Sequence, residues 1–166
     1  MIFVTVGTQK FSFDRLLKKI DELVENGTIQ EQIIVQKGHS TYRPVHCAWS
    51  DFFPEESFYS LLQKSNLIIT HGGIGTILKS LTLKKKVIVV PRLKKYGEHI
   101  DDHQLEIGNK FGQMGYVLTC KDVSQLEKYI EKAENMEFQE FRFSYQNVAT
   151  YISTYLADLE ENRNYE

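Results

Sequence analysis

The chain has 166 residues and a formal net charge of −2, with 42% apolar and 25% charged residues. That length supports one domain with its own core, and the slight acidity argues against a dedicated nucleic-acid binder. No apolar run reaches the length of a membrane span, and no basic leader precedes the first apolar run.

Residues 2–6 predict a strand, with Gly7-Thr8-Gln9 as the turn after it. Phe13, Leu16, Leu17, Ile20, Leu23 and Val24 recur at helical spacing, and Gly27 suits the cap. Residues 33–35 predict a second strand, parallel to the first, followed by Gln36-Lys37-Gly38. His39 and His46 read as loop residues, and a short strand falls within residues 45–53. Pro54 suits the first turn of a helix that buries Phe58, Leu61 and Leu62. Cys47 and Cys120 lack metal-ligand spacing and read as free thiols in a reducing cytoplasm.

The central stretch is the most informative. Residues 67–70 form a short apolar run that enters His71-Gly72-Gly73-Ile74-Gly75-Thr76. Ile77, Leu78, Leu81 and Leu83 then predict a helix starting at about Gly75. A glycine turn between strand and helix is either a plain tight turn or an anion site served by free N–H groups and the helix dipole. Residues 87–91 predict the next strand, and polar groups follow it: Arg92, Glu98, His99, Asp101, Asp102, His103 and Gln104. Neighbouring parallel strands would set both segments side by side where open α/β sheets bind ligands. His71 is placed as a general base or as a structural partner of the glycine turn. The lysines at 84–86 and 94–95 read as solvated turns, or as groups facing anionic lipid.

A helix opens at Asp101 or Asp102, a last strand spans residues 115–120, and Asp122 caps the helix after it. A final helix is expected at residues 144–160, with Val148, Ile152, Tyr155, Leu156 and Leu159 along one side. The alternation predicts one α/β domain over residues 1–166, a single Rossmann-like, doubly wound parallel sheet of six strands.

Three segments occur in one order: Phe3-Val-Thr-Val-Gly-Thr-Gln9, Thr70-His-Gly-Gly-Ile-Gly-Thr-Ile77, and Val89-Val-Pro-Arg92 with Glu98-His-Ile-Asp-Asp-His-Gln104. Together they resemble the C-terminal, donor-binding domain of the MurG-like glycosyltransferases of family 28, in their split form. That form includes the catalytic subunit of the dolichol-linked UDP-N-acetylglucosamine transferase. It also includes capsule and exopolysaccharide β-1,4-galactosyltransferase subunits, which the segment around Pro91 resembles most.

The resemblance implies the C-terminal half of a GT-B enzyme, a UDP-sugar-dependent hexosyltransferase of polysaccharide biosynthesis. It implies a diphosphate held by Gly72, Gly73, Ile74, Gly75 and Thr76, and a donor sugar met by Glu98, His103 and Gln104. It places Gln36 near the uracil. Gly7, Thr8 and Arg92 join the substrate-binding set, with His71 and Glu98 as the catalytic candidates. UDP-galactose or UDP-N-acetylglucosamine would be the donor, with no cofactor and no metal. A membrane-anchored subunit would bind a lipid-linked sugar acceptor, holding this chain at the cytoplasmic face of the membrane. One position departs from the pattern: the acidic residue that holds the ribose in the family is Lys79 here. A lysine cannot accept hydroxyl hydrogen bonds. On the residues alone, a nucleotide-sugar-binding regulatory module and an unrelated Rossmann-like nucleotide binder also stay open. The first turn lacks Gly-x-Gly-x-x-Gly, which counts against NAD.

Overall fold

The computed structural model describes residues 1–142, so the expected helix at 144–160 lies outside the described residues. Six strands form one parallel sheet in the order β3-β2-β1-β4-β5-β6. They are β1 (Ile2–Thr5), β2 (Ile33–Gln36), β3 (Ala48–Ser50), β4 (Leu67–Thr70), β5 (Lys86–Val89) and β6 (Leu118–Thr119). The helices are α1 (Asp14–Glu25), α2 (Glu55–Lys64), α3 (Ile74–Thr82), α4 (His103–Gln113) and α5 (Leu126–Asn135). This is the doubly wound order of a Rossmann-like fold.

Strand alternation divides the core in two. Ile2, Val4, Ile69, Ile88 and Val90 point to the face covered by α1 and α5, where Leu16, Leu17, Ile20, Leu126 and Ile130 meet them. Phe3, Ile68, Val87 and Val89 point the other way, against Leu62, Ile77, Leu81, Ile107 and Phe111 of α2, α3 and α4. Because both faces are covered, the central strands read as continuous apolar runs.

Three expectations change. The last strand is only β6, because the Tyr116 N–H turns back to the Phe111 carbonyl at 3.1 Å and leaves residues 115–117 outside the ladder. Asp122 caps a short 3-10 turn, Val123–Gln125, rather than α5 itself. The lysines at 84–86 do structural work. Lys86 Nζ donates to the Ala133 and Glu134 carbonyls at the end of α5, and Lys85 Nζ to the Gln63 carbonyl. Cations there complement a helix C-terminus.

Lys84 follows α3 with φ 54°, the left-handed conformation that favours glycine. Among the described residues its side chain pairs only with Glu140, and both are exposed, so that pair contributes little. Lys84→Gly should therefore stabilise the protein by about 1 kcal/mol, read as a higher denaturant midpoint. A lower midpoint would mean that the pair outweighs the backbone strain.

Candidate functional site

The strand order reverses between β1 and β4, which opens a crevice at their carboxyl ends. The turn after β1 begins at Gly7, and the turn after β4 is His71-Gly72-Gly73. The His71 N–H donates to the Thr5 carbonyl at 3.4 Å, which holds the two turns together. The residues following β5 flank the second turn on its other side.

Steric reasons separate the glycines. At Gly7, φ is +77°, and a Cβ would stand 2.5 Å from the His71 ring. At Gly73 it would stand 2.2 Å from His71 Nε2, and at Gly72 2.4 Å from the Gln104 carbonyl oxygen. The His71 ring thus fills the space that two missing side chains leave. A Cβ at Gly75 would meet nothing within 4 Å.

Helix α3 begins with Gly73 as its cap, and no side chain caps it. The Gly72 N–H is taken by Gln104 Oε1 at 3.1 Å. The next N–H groups, of Gly73, Ile74, Gly75 and Thr76, have no acceptor among the described residues. They form a row of free donors at a helix N-terminus, an arrangement suited to an anion. The Gly72 N–H, expected to join that row, instead fixes the turn to α4.

His71 is 8% exposed, and its Nδ1 lies 3.2 Å from Thr70 Oγ1. Burial, helped by the nearby Arg92 charge, pushes its pKa down to about 4. It is neutral at physiological pH and a weak proton acceptor there, which favours the structural partner of the glycine turn over the general base, the two roles that the sequence left open. Because the folded state holds His71 below its usual value of 6.5, stability is full above pH 6.5 and is lost as pH falls toward 4. The loss should reach about 3 kcal/mol. Chemical denaturation of wild type and His71→Gln across this range checks it, with the variant's profile flattened. Parallel profiles would place the acid sensitivity elsewhere.

Arg92 is fully buried. Its guanidinium donates to the carbonyls of Val6 (2.8 Å), Phe11 (2.8 Å), Ser12 (3.1 Å) and Glu98 (3.2 Å), over the Phe13 ring. Burial draws its pKa down to about 10, so it stays charged at neutral pH. The expected ligand-facing arginine is therefore a clamp on the turn after β1. Glu98 is also buried, and its carboxylate receives Arg15 Nε at 2.7 Å, Arg15 Nη2 at 3.0 Å and the Leu93 N–H at 3.1 Å. A carboxylate so engaged is a structural counter-ion, not the free catalytic group expected.

Gln36 is buried, with Nε2 on Thr5 Oγ1 at 3.4 Å and Oε1 on the Phe53 N–H at 3.1 Å. It joins β1 and β2 to the segment before α2. Gln104 Oε1 also accepts the Arg92 N–H at 3.2 Å, while Gln104 Nε2 has no hydrogen bond among the described residues. His103 is half-buried, its Nδ1 3.2 Å from Glu106 Oε2. Thr8 is exposed beside the crevice. Lys79 lies on α3 with its amine 3.5 Å from Glu55 at the start of α2.

Sequence reasoning missed Arg15 and the role of His99. His99 Nδ1 lies 2.7 Å from Asp101 Oδ1, and its ring packs 6.0 Å from that of Phe11. No spacing rule links Arg15 to Glu98 across 83 positions.

The glycosyltransferase family 28 C-terminal domain profile matches residues 1–157. The chain belongs to that family. The UDP-N-acetylglucosamine transferase subunit ALG13 of Homo sapiens is 31% identical over 133 residues, covering 72% of this chain and 11% of that protein. The UDP-N-acetylglucosamine–N-acetylmuramyl-(pentapeptide) pyrophosphoryl-undecaprenol N-acetylglucosamine transferase of Streptococcus thermophilus is 28% identical over 144 residues, covering 81% of this chain and 38% of that protein. The chain thus spans a minor part of the curated relatives it matches.

The solution structure of ALG13 superposes with a TM-score of 0.60 at 21% identity, covering 89% of this chain and 91% of that one. The crystal structure of Acinetobacter baumannii MurG superposes at 0.56 with 18% identity, covering 80% of this chain and 41% of that one. These likenesses establish the fold: a Rossmann-like domain of GT-B type.

Proposed function

We propose that this family 28 domain binds the diphosphate of a UDP-sugar on the free N–H groups of Gly73, Ile74, Gly75 and Thr76. That row of donors at the switch point is the observation that carries the proposal. Transfer forms a bond between an acceptor hydroxyl and the anomeric carbon and breaks the bond to the UDP oxygen. Negative charge grows on the departing diphosphate, where preorganised N–H groups are most effective. The proton leaves the acceptor hydroxyl for a base.

The two residues singled out as catalytic do not suit that last role. His71 is held neutral with a pKa of about 4, and Glu98 is paired with Arg15. In this reading the base comes from a second polypeptide, a membrane-anchored subunit that also binds a lipid-linked sugar acceptor. ALG13 is itself named as a transferase subunit, which supports this reading. The donor is UDP-N-acetylglucosamine or UDP-galactose, in capsule or exopolysaccharide synthesis, at the cytoplasmic membrane face. Among the described residues no helix is long and apolar enough to cross a membrane. The Gly73–Thr76 donors meet the diphosphate charge without a divalent metal or cofactor.

Titration with UDP, both UDP-sugars and NAD tests the donor site, with a uridine nucleotide expected to bind most tightly. Transfer from UDP-sugar to a lipid-linked acceptor is then measured with and without membranes carrying the candidate partner, and with EDTA. Activity should require the membranes and survive EDTA. Full activity from the purified chain would overturn the two-polypeptide reading.

A further inference from the structure

We infer that Gln104 is a positioning residue for the diphosphate: it holds the glycine turn so that the free N–H groups at the start of α3 stay aligned. The inference rests on the UDP-sugar reading above. The resemblance implied a sugar contact for Gln104, and the structure puts its carbonyl oxygen to another use. Oε1 accepts two backbone N–H groups, that of Gly72 at 3.1 Å and that of Arg92 at 3.2 Å. One belongs to the turn after β4 and the other to the segment after β5, while the side chain itself comes from the first turn of α4. Gln104 is 5% exposed. Turned over, its amide would set its own N–H groups against those two donors, so its orientation is fixed.

The composition of the turn calls for such a strut. Gly72 and Gly73 have no side chains, so sterics restrain their backbone dihedrals only loosely. Freedom at these two residues would swing the Gly73 and Ile74 N–H groups away from those of Gly75 and Thr76. The first bond inside α3, from the Ile77 N–H to the Gly73 carbonyl at 3.2 Å, lies downstream of Gly72 and does not fix it. On the strand side, the His71 N–H reaches the Thr5 carbonyl only at 3.4 Å, a long bond.

Gln104 holds the turn in two ways. Its backbone packs so closely on Gly72 that a Cβ there would stand 2.4 Å from the Gln104 carbonyl oxygen. Its side chain then takes the Gly72 N–H, and the shared bond to the Arg92 N–H anchors that side chain in turn. Donors ordered before an anion arrives lose less freedom when they bind it.

The experiment measures affinity for UDP and for inorganic pyrophosphate, melting temperature, amide hydrogen exchange and backbone order parameters in wild type, Gln104→Met and Gln104→Glu. In wild type the Gly72 and Arg92 N–H groups should exchange slowly, and residues 73–76 should be as ordered as the rest of α3. Gln104→Met keeps the length of the side chain and removes the acceptor. It should lose that protection, raise mobility at residues 73–76, and weaken UDP and pyrophosphate alike by about tenfold. Gln104→Glu keeps acceptor oxygens, so it should retain the protection and the order of the turn. A merely structural role would lower the melting temperature of Gln104→Met without moving the affinity of the folded protein. Wild-type affinity in folded Gln104→Met would overturn the inference. Fast exchange of the Gly72 N–H in wild type would also overturn it, and that measurement needs no variant to fold. Wild type binding neither UDP nor pyrophosphate, with Gly72 still protected, would instead overturn the donor-site reading.

Discussion

Gly75→Val should abolish UDP binding in a protein that stays folded. Gly75 lies in the first turn of α3, where a Cβ meets no protein atom within 4 Å. Side chains of a helix tilt toward its N-terminus, so valine there leans over the free N–H groups. Those groups must come within about 2.9 Å of a phosphate oxygen to hold it. A branched side chain in that space should cost at least about 3 kcal/mol of binding, more than a hundredfold in affinity. Folding should be unharmed, because valine is no worse than glycine in a helix. Its neighbours give no such separation. At Gly73 a side chain strikes the His71 ring, and at Gly72 it strikes the backbone of Gln104. Calorimetric titration with UDP, beside a thermal melt, reads both quantities. Wild-type affinity in a folded Gly75→Val protein would move the diphosphate away from this turn.

Arg92→Met should be the most damaging single change to stability. Methionine replaces much of the side chain's volume but none of its donors. The carbonyls of Val6, Phe11, Ser12 and Glu98 would each lose a charged partner in a buried setting. Breaking a buried, charge-assisted network costs about 3–5 kcal/mol. Domains of this size hold only about 5–15 kcal/mol in total, so the denaturant midpoint should fall steeply. The same variant removes the charge that helps to hold His71 neutral. The His71 pKa should then rise, as NMR titration of its ring can follow. A stability loss under about 1 kcal/mol would mean that water replaces the guanidinium, and that Arg92 is no clamp.

The strands were legible where one element decides its own state. Leu67–Thr70 was read residue for residue, since a branched apolar run stopped by glycines has no competing period. The glycine turn was legible as a turn, and α3 starts one residue before its expected beginning. Charge roles were not legible, because each depends on partners far along the chain. Arg92 after a strand-ending proline looks ligand-facing until carbonyls some 80 residues earlier surround it. Glu98 looks like a free carboxylate until Arg15 is placed beside it. Gln36 and Gln104 bond backbone and side chains of neighbouring segments, a role that amides fill without any sequence signature. The sequence leaves His71 open between base and structural partner because its pattern says nothing of its burial.

The sheet places its first-made strand at its centre, and this has a consequence during synthesis. One edge of β1 is covered when Ile33–Gln36 emerges. The other waits for Leu67–Thr70, because Ile2 pairs with Leu67. At about 5–20 residues per second, that edge stands bare for several seconds on the ribosome. It presents Ile2, Phe3 and Val4, all fully enclosed in the finished protein. A bare apolar strand edge is a template for pairing with other chains. The nascent chain therefore passes through an interval in which a ribosome-associated chaperone, or slow initiation that keeps nascent copies apart, governs its yield.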